Sequence, residues 1–240
     1  MAPQTIVLLH GFTQTGRSWG PAIAALGERY RAVAPDIRGH GSAAAVRPVD
    51  FASVQADVLA LAPERFVLGG YSMGGRIALS LALAAPARVE RLVLVGASPG
   101  LADADERRAR RAADEALAER IERGGIEAFA ARWSALPLFA DQPADVAAAA
   151  HATRLAQSPA GLAAALRGLG TGVMEPLWER LPELTMPVTL IAGERDAKFR
   201  AIAERMAAAL PDATLHVVAG AGHAAQLEQP AAVAGIAAAR

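Results

Sequence analysis

The stretch Phe66-Val67-Leu68-Gly69-Gly70-Tyr71-Ser72-Met73-Gly74-Gly75-Arg76-Ile77 decides how this chain is read. Its first three residues form a short apolar run suited to a buried strand, and from Ile77 to Ala84 apolar residues recur at helical spacing. Between the two, Gly70 and Gly74 flank Ser72. In a chain with 22 glycines that spacing has little weight alone; strand, sharp turn, helix is the context that a nucleophile elbow requires. A serine on such a turn has a strained backbone, and its neighbours pack closely enough to favour glycine, which leaves Oγ exposed above the sheet. The plainer alternative is an ordinary glycine-rich turn, which needs no partner elsewhere.

Working outward, apolar runs of strand length recur at 5–9, 31–34, 92–95, 188–191 and 214–218, and segments with helical spacing lie at 54–61, 77–84 and 201–210. Strands alternating with helices imply a mostly parallel, doubly wound α/β sheet. The alternation lapses for roughly ninety residues between Ala97 and Pro187, far beyond the ~12–15 residues usual for a loop without structure of its own. Residues 103–123 carry opposite charges at i, i+4 spacing and Gly124-Gly125 should stop that helix, with further Ala-rich helices to about Leu169. The expected organisation is a core of residues 1–98 and 187–240 with a helical cap, 99–186, inserted between two core strands above the carboxyl edge of the sheet, where open α/β sheets bind ligands.

A serine hydroxyl needs a histidine to take its proton, and that histidine needs an acid to fix its tautomer. Two further strand ends offer them. Gly193-Glu194-Arg195-Asp196 follows the run at 188–191, and Gly220-Ala221-Gly222-His223 follows the run at 214–218. Asp196 is the expected acid; Glu194 could instead pair with Arg195 or Arg200. His10-Gly11-Phe12 ends the first strand, and the Phe12 N–H together with that of Met73 would make a two-donor oxyanion hole. Alternatively Gly11 merely turns the chain. His40, in the loop Asp36-Ile37-Arg38-Gly39-His40-Gly41-Ser42, reads as a hydrogen-bonding brace, and His151 and His216 as surface or packing residues.

Composition narrows the field. Lys plus Arg and Asp plus Glu balance at 24 each, so no net field exists to hold nucleic acid. Apolar residues make up 53% of the chain but are interrupted by charges every few positions, which argues against a membrane span. The absence of cysteine removes disulfides, thiolate metal sites and cysteine nucleophiles. The first residues show no secretory signal, which makes the cytoplasm the expected location. Lys198 is the sole lysine among the basic residues, a bias that composition alone leaves without functional meaning.

These motifs resemble the α/β-hydrolase superfamily along nearly the whole chain. One branch is especially similar, the 2-succinyl-6-hydroxy-2,4-cyclohexadiene-1-carboxylate synthases of menaquinone biosynthesis. The similarity to that branch lies in Gly70-Tyr71-Ser72-Met73-Gly74-Gly75-Arg76, Ser98-Pro99-Gly100-Leu101 with Glu106-Arg107-Arg108, Pro137-Leu138-Phe139, Gly170-Thr171-Gly172 and Gly193-Glu194-Arg195-Asp196-Ala197-Lys198-Phe199. The resemblance implies a lyase: Ser72, made basic by His223 and Asp196, removes a proton from a ring carbon and pyruvate is expelled, with no acyl-enzyme. It implies no cofactor and no metal, and a small-molecule substrate bearing several carboxylates. Arginines suit that substrate because guanidinium pairs with carboxylate bidentately. Arg76, one turn after Ser72, together with Arg110 and Arg154, takes the family's carboxylate-binding positions; a one-turn shift in register would nominate Arg107 in place of Arg110. Tyr71, Trp133 and Phe139 take pocket-lining positions. The chain departs from the superfamily in starting almost directly at the strand that bears His10, so the usual leading antiparallel strands are expected to be missing or reduced. Two other readings stay open: an ester or thioester hydrolase working through an acyl-serine, and a non-catalytic ligand receptor on the same fold.

Overall fold

The computed structural model describes residues 3–239; Met1, Ala2 and Arg240, at the outer ends of the expected core, lie outside the described residues. Six strands, β1 (Gln4–Leu9), β2 (Tyr30–Val33), β3 (Phe66–Tyr71), β4 (Val89–Val95), β5 (Val188–Gly193) and β6 (Ala213–Val218), pair in the order β2-β1-β3-β4-β5-β6. Every pairing is parallel, so among the described residues the sheet has no antiparallel strand. Each of the six expected runs falls on one of these strands, with only Ala34 past the end of β2. Around them come α1 (Gly20–Leu26), α2 (Phe51–Leu61), α3 (Met73–Ala84), α4 (Ala104–Ser134), α5 (Ala144–Leu155), α6 (Pro159–Leu169), α7 (Ala197–Ala209), α8 (Ala225–Glu228) and α9 (Pro230–Ala238).

Side chains alternate across a strand, so each central strand feeds two cores. Val7, Leu9, Phe66, Leu68, Leu92, Leu94 and Leu190 pack with residues of α2, α3 and α7. Ile6, Leu8, Val67, Val93, Val95 and Ile191 pack with residues of α1, α8 and α9. Each fully buried Leu, Ile or Val contributes about 1.5–3 kcal/mol. No helix among the described residues is long and apolar enough to cross a membrane.

Between β4 and β5 the chain forms α4, α5 and α6. These build a third apolar cluster from Ala118, Ile121, Phe129, Leu162, Ala163 and Leu166, packed against Phe12 and Trp133. Asp103 caps α4 by accepting from the N–H groups of Asp105 and Glu106. The helix stops at Gly124-Gly125 as expected: Gly125 leaves helical geometry, at φ 77° and ψ 176°, and a second helical segment runs from there to Ser134. A glycine turn redirects the chain, and Phe129 and Ala130, buried just beyond it, supply the packing that resumes the helix.

Strand order reverses between β1 and β3, one strand leading to β2 and the other to β4. At such a switch point the loops leaving the carboxyl ends diverge and open a crevice. The Phe12 loop and the Ser72 turn leave these two strands.

The insertion meets the core closely along α6. A Cβ at Gly168 would drive into the carbonyl of Val49, just before α2. Gly168→Ala should therefore cost about 1–3 kcal/mol as an overpacking substitution, read as a lower urea midpoint with an unchanged m value. An unchanged midpoint would mean that this contact yields freely.

Candidate active site

Ser72 sits at φ 50° and ψ −108° between β3 and α3, in a region that L residues rarely adopt. Its N–H donates to Val95 O at 2.9 Å, tying the turn to β4. A Cβ at Gly74 would collide with the Leu9 carbonyl, so a side chain there would push the turn away from β1. His223 Nε2 lies 3.2 Å from Ser72 Oγ, and His223 Nδ1 lies 2.7 Å from Asp196 Oδ2. Asp196 also caps α7, its Oδ1 accepting from Phe199 N–H at 3.2 Å. One carboxylate thus fixes a helix start and a histidine ring. The Phe199 ring packs against the imidazole at 4.3 Å between centroids, tilted by 42°.

The loop that carries His223 is braced by two further carboxylates. Glu228, its side chain 1% exposed, accepts from Gly222 N–H at 2.7 Å and from Arg195 Nη2 at 3.1 Å. Glu194 accepts from Gly220 N–H at 2.8 Å, its side chain reaching across to the β6 turn, and forms no ion pair with Arg195 or Arg200, the alternative that the sequence had left open. Sequence reading missed Glu228. Its signal was an acidic residue in an otherwise apolar and amide segment five residues after His223.

Phe12 and Met73 face the same cavity as Ser72. As the first residue of α3, Met73 has no intrahelical acceptor for its N–H, and the Phe12 N–H has no backbone acceptor among the described residues. Phe12 occupies a tight turn closed by Gln14 N–H to Gly11 O at 3.2 Å, with Thr13 forced to φ 70°. Gly11 does more than turn the chain: a Cβ there would come within 2.6 Å of the Tyr71 ring. Beneath the turn, His10 Nε2 accepts from Ile37 N–H at 2.9 Å, so Nδ1 carries the proton it donates to Gly11 O at 2.9 Å. His40 braces this loop by a hydrogen bond, as expected, and also by packing. Its ring sits edge-on to His10 and Phe12, while its Nδ1 is a long 3.4 Å from Arg38 O.

The cavity encloses about 350 Å³ and is also walled by Arg76, Arg110, Trp133, Lys198 and Phe199. A larger cleft of about 610 Å³ opens between the Gln14–Ser18 loop and α5, but neither Ser72 nor His223 lines it, so size does not select the site. Arg76 Nη1 donates to Leu169 O at 3.1 Å and has no carboxylate partner among the described residues. Burial, and then the adjacent Arg110 guanidinium, push Arg76 down to about 10, with Asp114 opposing. Arg110 Nε holds the buried Asp114 at 2.8 Å. Arg107 instead donates to the Leu101 and Ala102 carbonyls at the start of α4, so the cavity takes Arg110 of the two registers.

Tyr71, Phe139 and Arg154 do not line this cavity, although both rings lie near His223. Ring centroids lie 5.2 Å from His223 for Tyr71 and 6.4 Å for Phe139, and the Arg154 guanidinium sits 5.0 Å over Phe139. Arg154 is buried, donates from Nη1 to Ser134 Oγ at 2.9 Å, and leaves its buried Nε without an acceptor. Burial holds it below the ordinary arginine value, with Tyr71 partly offsetting. Ser134 in turn meets His151 Nδ1 at 3.0 Å, so His151 supports the arginine's anchor. Nothing in the local sequence marked Ser134 or His151, because their roles arise where α4 and α5 cross.

A model of the Alpha/beta hydrolase family matches residues 6–236. A 2-succinyl-6-hydroxy-2,4-cyclohexadiene-1-carboxylate synthase of Klebsiella pneumoniae subsp. pneumoniae is 37% identical over 235 residues, covering 95% of this chain and 90% of that protein. A Bacillus subtilis protein that provisionally carries the same name is 39% identical over 241 residues, covering 95% and 87%. Among solved structures, MenH from S. aureus superposes with a TM-score of 0.92 at 32% identity, covering 97% of this chain and 92% of that one. A malate-bound thermophilic esterase from Thermogutta terrifontis gives 0.84 at 26%, covering 98% and 88%. The fold is thus similar to proteins with different reactions.

The two buried histidines under the Phe12 turn give this site a pH-dependent foundation. Desolvation pushes His10 down to about 4 and His40 to about 3, while both return to 6.5 when the chain unfolds. The unfolded chain therefore binds more protons below about pH 6.5, so their contribution is complete above that value and drains away as pH falls toward 4. Asp36 and Asp57, held below the usual carboxylate range by their hydrogen bonds against the opposing cost of burial, add losses only at lower pH. The thermal midpoint should fall steadily from about pH 6.5 to about pH 4; calorimetry showing a flat midpoint across that window would contradict this.

Proposed function

The chain belongs to the alpha/beta hydrolase family and, within it, to the 2-succinyl-6-hydroxy-2,4-cyclohexadiene-1-carboxylate synthases, and from that membership we propose how its residues act. The reaction is the carbon–oxygen lyase step of menaquinone biosynthesis. Pyruvate is eliminated from 2-succinyl-5-enolpyruvyl-6-hydroxy-3-cyclohexene-1-carboxylate to give 2-succinyl-6-hydroxy-2,4-cyclohexadiene-1-carboxylate. The enzyme would work in the cytoplasm on a free small molecule carrying several carboxylates, with residues 99–186 as its cap.

The ring C2 hydrogen is acidic because it lies next to the succinyl ketone. Asp196 holds His223 with its proton on Nδ1, which leaves the Nε2 lone pair for the Ser72 hydroxyl. As Ser72 Oγ takes the proton from C2, its own proton passes to Nε2. The C2–H electron pair becomes the C2–C3 double bond, the C3–C4 double bond shifts to C4–C5, and the C5–O pair departs with the three-carbon enol. The enol oxygen regains a proton from the Ser72–His223 pair and tautomerises to pyruvate. The Phe12 and Met73 amides would stabilise the enolate oxygen as charge develops there.

The observation that carries this reading is the cation excess around Ser72. Arg76 and Arg110 stand side by side with one carboxylate, Asp114, between them, and the former is held only by a backbone carbonyl. Desolvated like charges disfavour each other, and a polyanionic ligand relieves that cost. Tyr71, Phe139 and Arg154, gathered near His223, would take a further carboxylate, and Trp133 would line the ring's apolar face. A hydrolase working through an acyl-serine is not favoured, since a simple ester gives these arginines nothing to bind.

The test is to supply the enolpyruvyl precursor and follow pyruvate. Ser72→Ala should lower kcat by ~10²–10⁴. Arg76→Ala should chiefly raise KM, by ~10–100-fold for one lost charged hydrogen-bonding pair. A wild-type protein that releases no pyruvate while hydrolysing aryl esters rapidly would sink the lyase assignment.

A further inference from the structure

Among 24 basic residues Lys198 is the one lysine. It lines the cavity that holds Ser72 and His223. It stands in the first turn of α7, two residues after Asp196, where the partial positive charge of the helix start disfavours a cation. The one acid at that helix start, Asp196, is already engaged with the Phe199 amide and His223. No carboxylate among the described residues pairs with Lys198; its Nζ lies 5.8 Å from the centroid of the Phe199 ring, which itself packs against His223. A residue that opposes local helix stability, stays unpaired and faces the reacting groups is placed for something other than folding.

We infer that Lys198 binds the carboxylate of the departing enolpyruvyl unit and so offsets the negative charge that arrives as the C5–O bond breaks. This assignment rests on the lyase reading. The substrate carries three carboxylates: one on the ring, one ending the succinyl chain, and one on the enolpyruvyl group. Arg76, on α3, and Arg110, on α4, offer guanidinium forks suited to holding carboxylates that stay with the ring product. Lys198 comes from a different element, on the His223 side, and is itself exposed. The group that must leave for water is served best there. An ammonium is a compact, strongly hydrated point charge that pairs with one oxygen without a bidentate clamp, so it stabilises a departing anion and lets it go. The lysine supplies charge only; protons move through Ser72 and His223 as before, and the electron pairs keep the same balance.

Binding of pyruvate and of succinate to the intact protein, each titrated separately by ligand-observed NMR, tests this without requiring turnover. Lys198→Met should weaken pyruvate about tenfold and leave succinate unchanged. Lys198→Glu should weaken pyruvate further. The thermal midpoint should hold or rise in both variants, because a cation leaves a helix start. Pyruvate binding unchanged in Lys198→Met, equal weakening of both anions, or a Glu variant no worse than Met would each overturn the assignment. A fall in thermal midpoint matching the loss of binding would replace it with a structural role. If wild type binds both anions yet releases no pyruvate from the precursor, the failure belongs to the lyase reading, and the lysine result still decides its own question.

Discussion

The hydrogen bond from His223 Nδ1 to Asp196 Oδ2, 2.7 Å long and almost sealed from solvent, constrains everything around it. A buried carboxylate is costly unless its oxygens are engaged. Asp196 meets that demand with the imidazole N–H on one oxygen and the Phe199 amide on the other. Hydrogen bonds of this charged kind contribute about 1.5–3 kcal/mol each. Satisfying both fixes the tautomer of His223 and the first turn of α7 together. The two loops come from neighbouring parallel strands in register from Val188↔Ala213 to Gly193↔Val218. A slip of one residue would separate the acid from its histidine. Glu228 and Glu194 then pin the backbone on the approach to His223.

The nucleophile side is held by strain instead of charge. Ser72 and Thr13 are the described non-glycine residues at positive φ, and they flank the Phe12 and Met73 amides. Such conformations cost of order 1–3 kcal/mol each. Here the buried carboxyl half of β1 and the fully buried β3 resist relaxation, so the packed sheet maintains the strain. The electropositive character of the cavity arises differently again. The chain as a whole is neutral. Elsewhere arginines are matched closely, as where Arg167 meets both Glu115 and Glu122. Around Ser72 the matching carboxylates are withheld, leaving Arg76 and Lys198 without one. Local charge comes from missing partners, which net composition cannot reveal.

Much of this was legible in the residues because the signals were local. Strands are apolar runs bounded by glycine and charge, and six such runs became six strands. The serine, acid and histidine each follow a strand, so parallel topology alone brings them to one edge. What escaped depends on distances between helices. Residues 99–186 are rich in alanine, whose uniform helix preference marks no face, so the sequence could not say that Arg110 would line the cavity with Ser72 while Arg154 would be buried against Ser134 and Phe139. Gly124-Gly125 read correctly as a stop, but that a second helical segment would follow at once depended on the burial of Phe129 and Ala130. Lys198 was visible as an oddity of composition, but its meaning needed the cavity. His151 and Ser134 gave no signal, since their contact with each other and with Arg154 exists only in the assembled fold.

The similarity to both a synthase and an esterase follows from how little the two chemistries differ at the start. In each, on the proposed reading, the Ser72 proton would pass to His223 Nε2 as Oγ engages the substrate, and the same triad geometry would serve both. The outcome depends on what the bared oxygen faces next, a carbonyl carbon or an acidic C–H. A triad cannot choose between these, because Oγ has the same position and the same partner in either case. The choice lies with the groups that anchor the remainder of the substrate. Cations that lack partners in the protein would hold carboxylates at fixed points, and fixed points on a rigid ring determine which atom is presented to the serine. Reaction type on this fold is therefore a property of the distant anchors, and the catalytic residues are the part least able to reveal it.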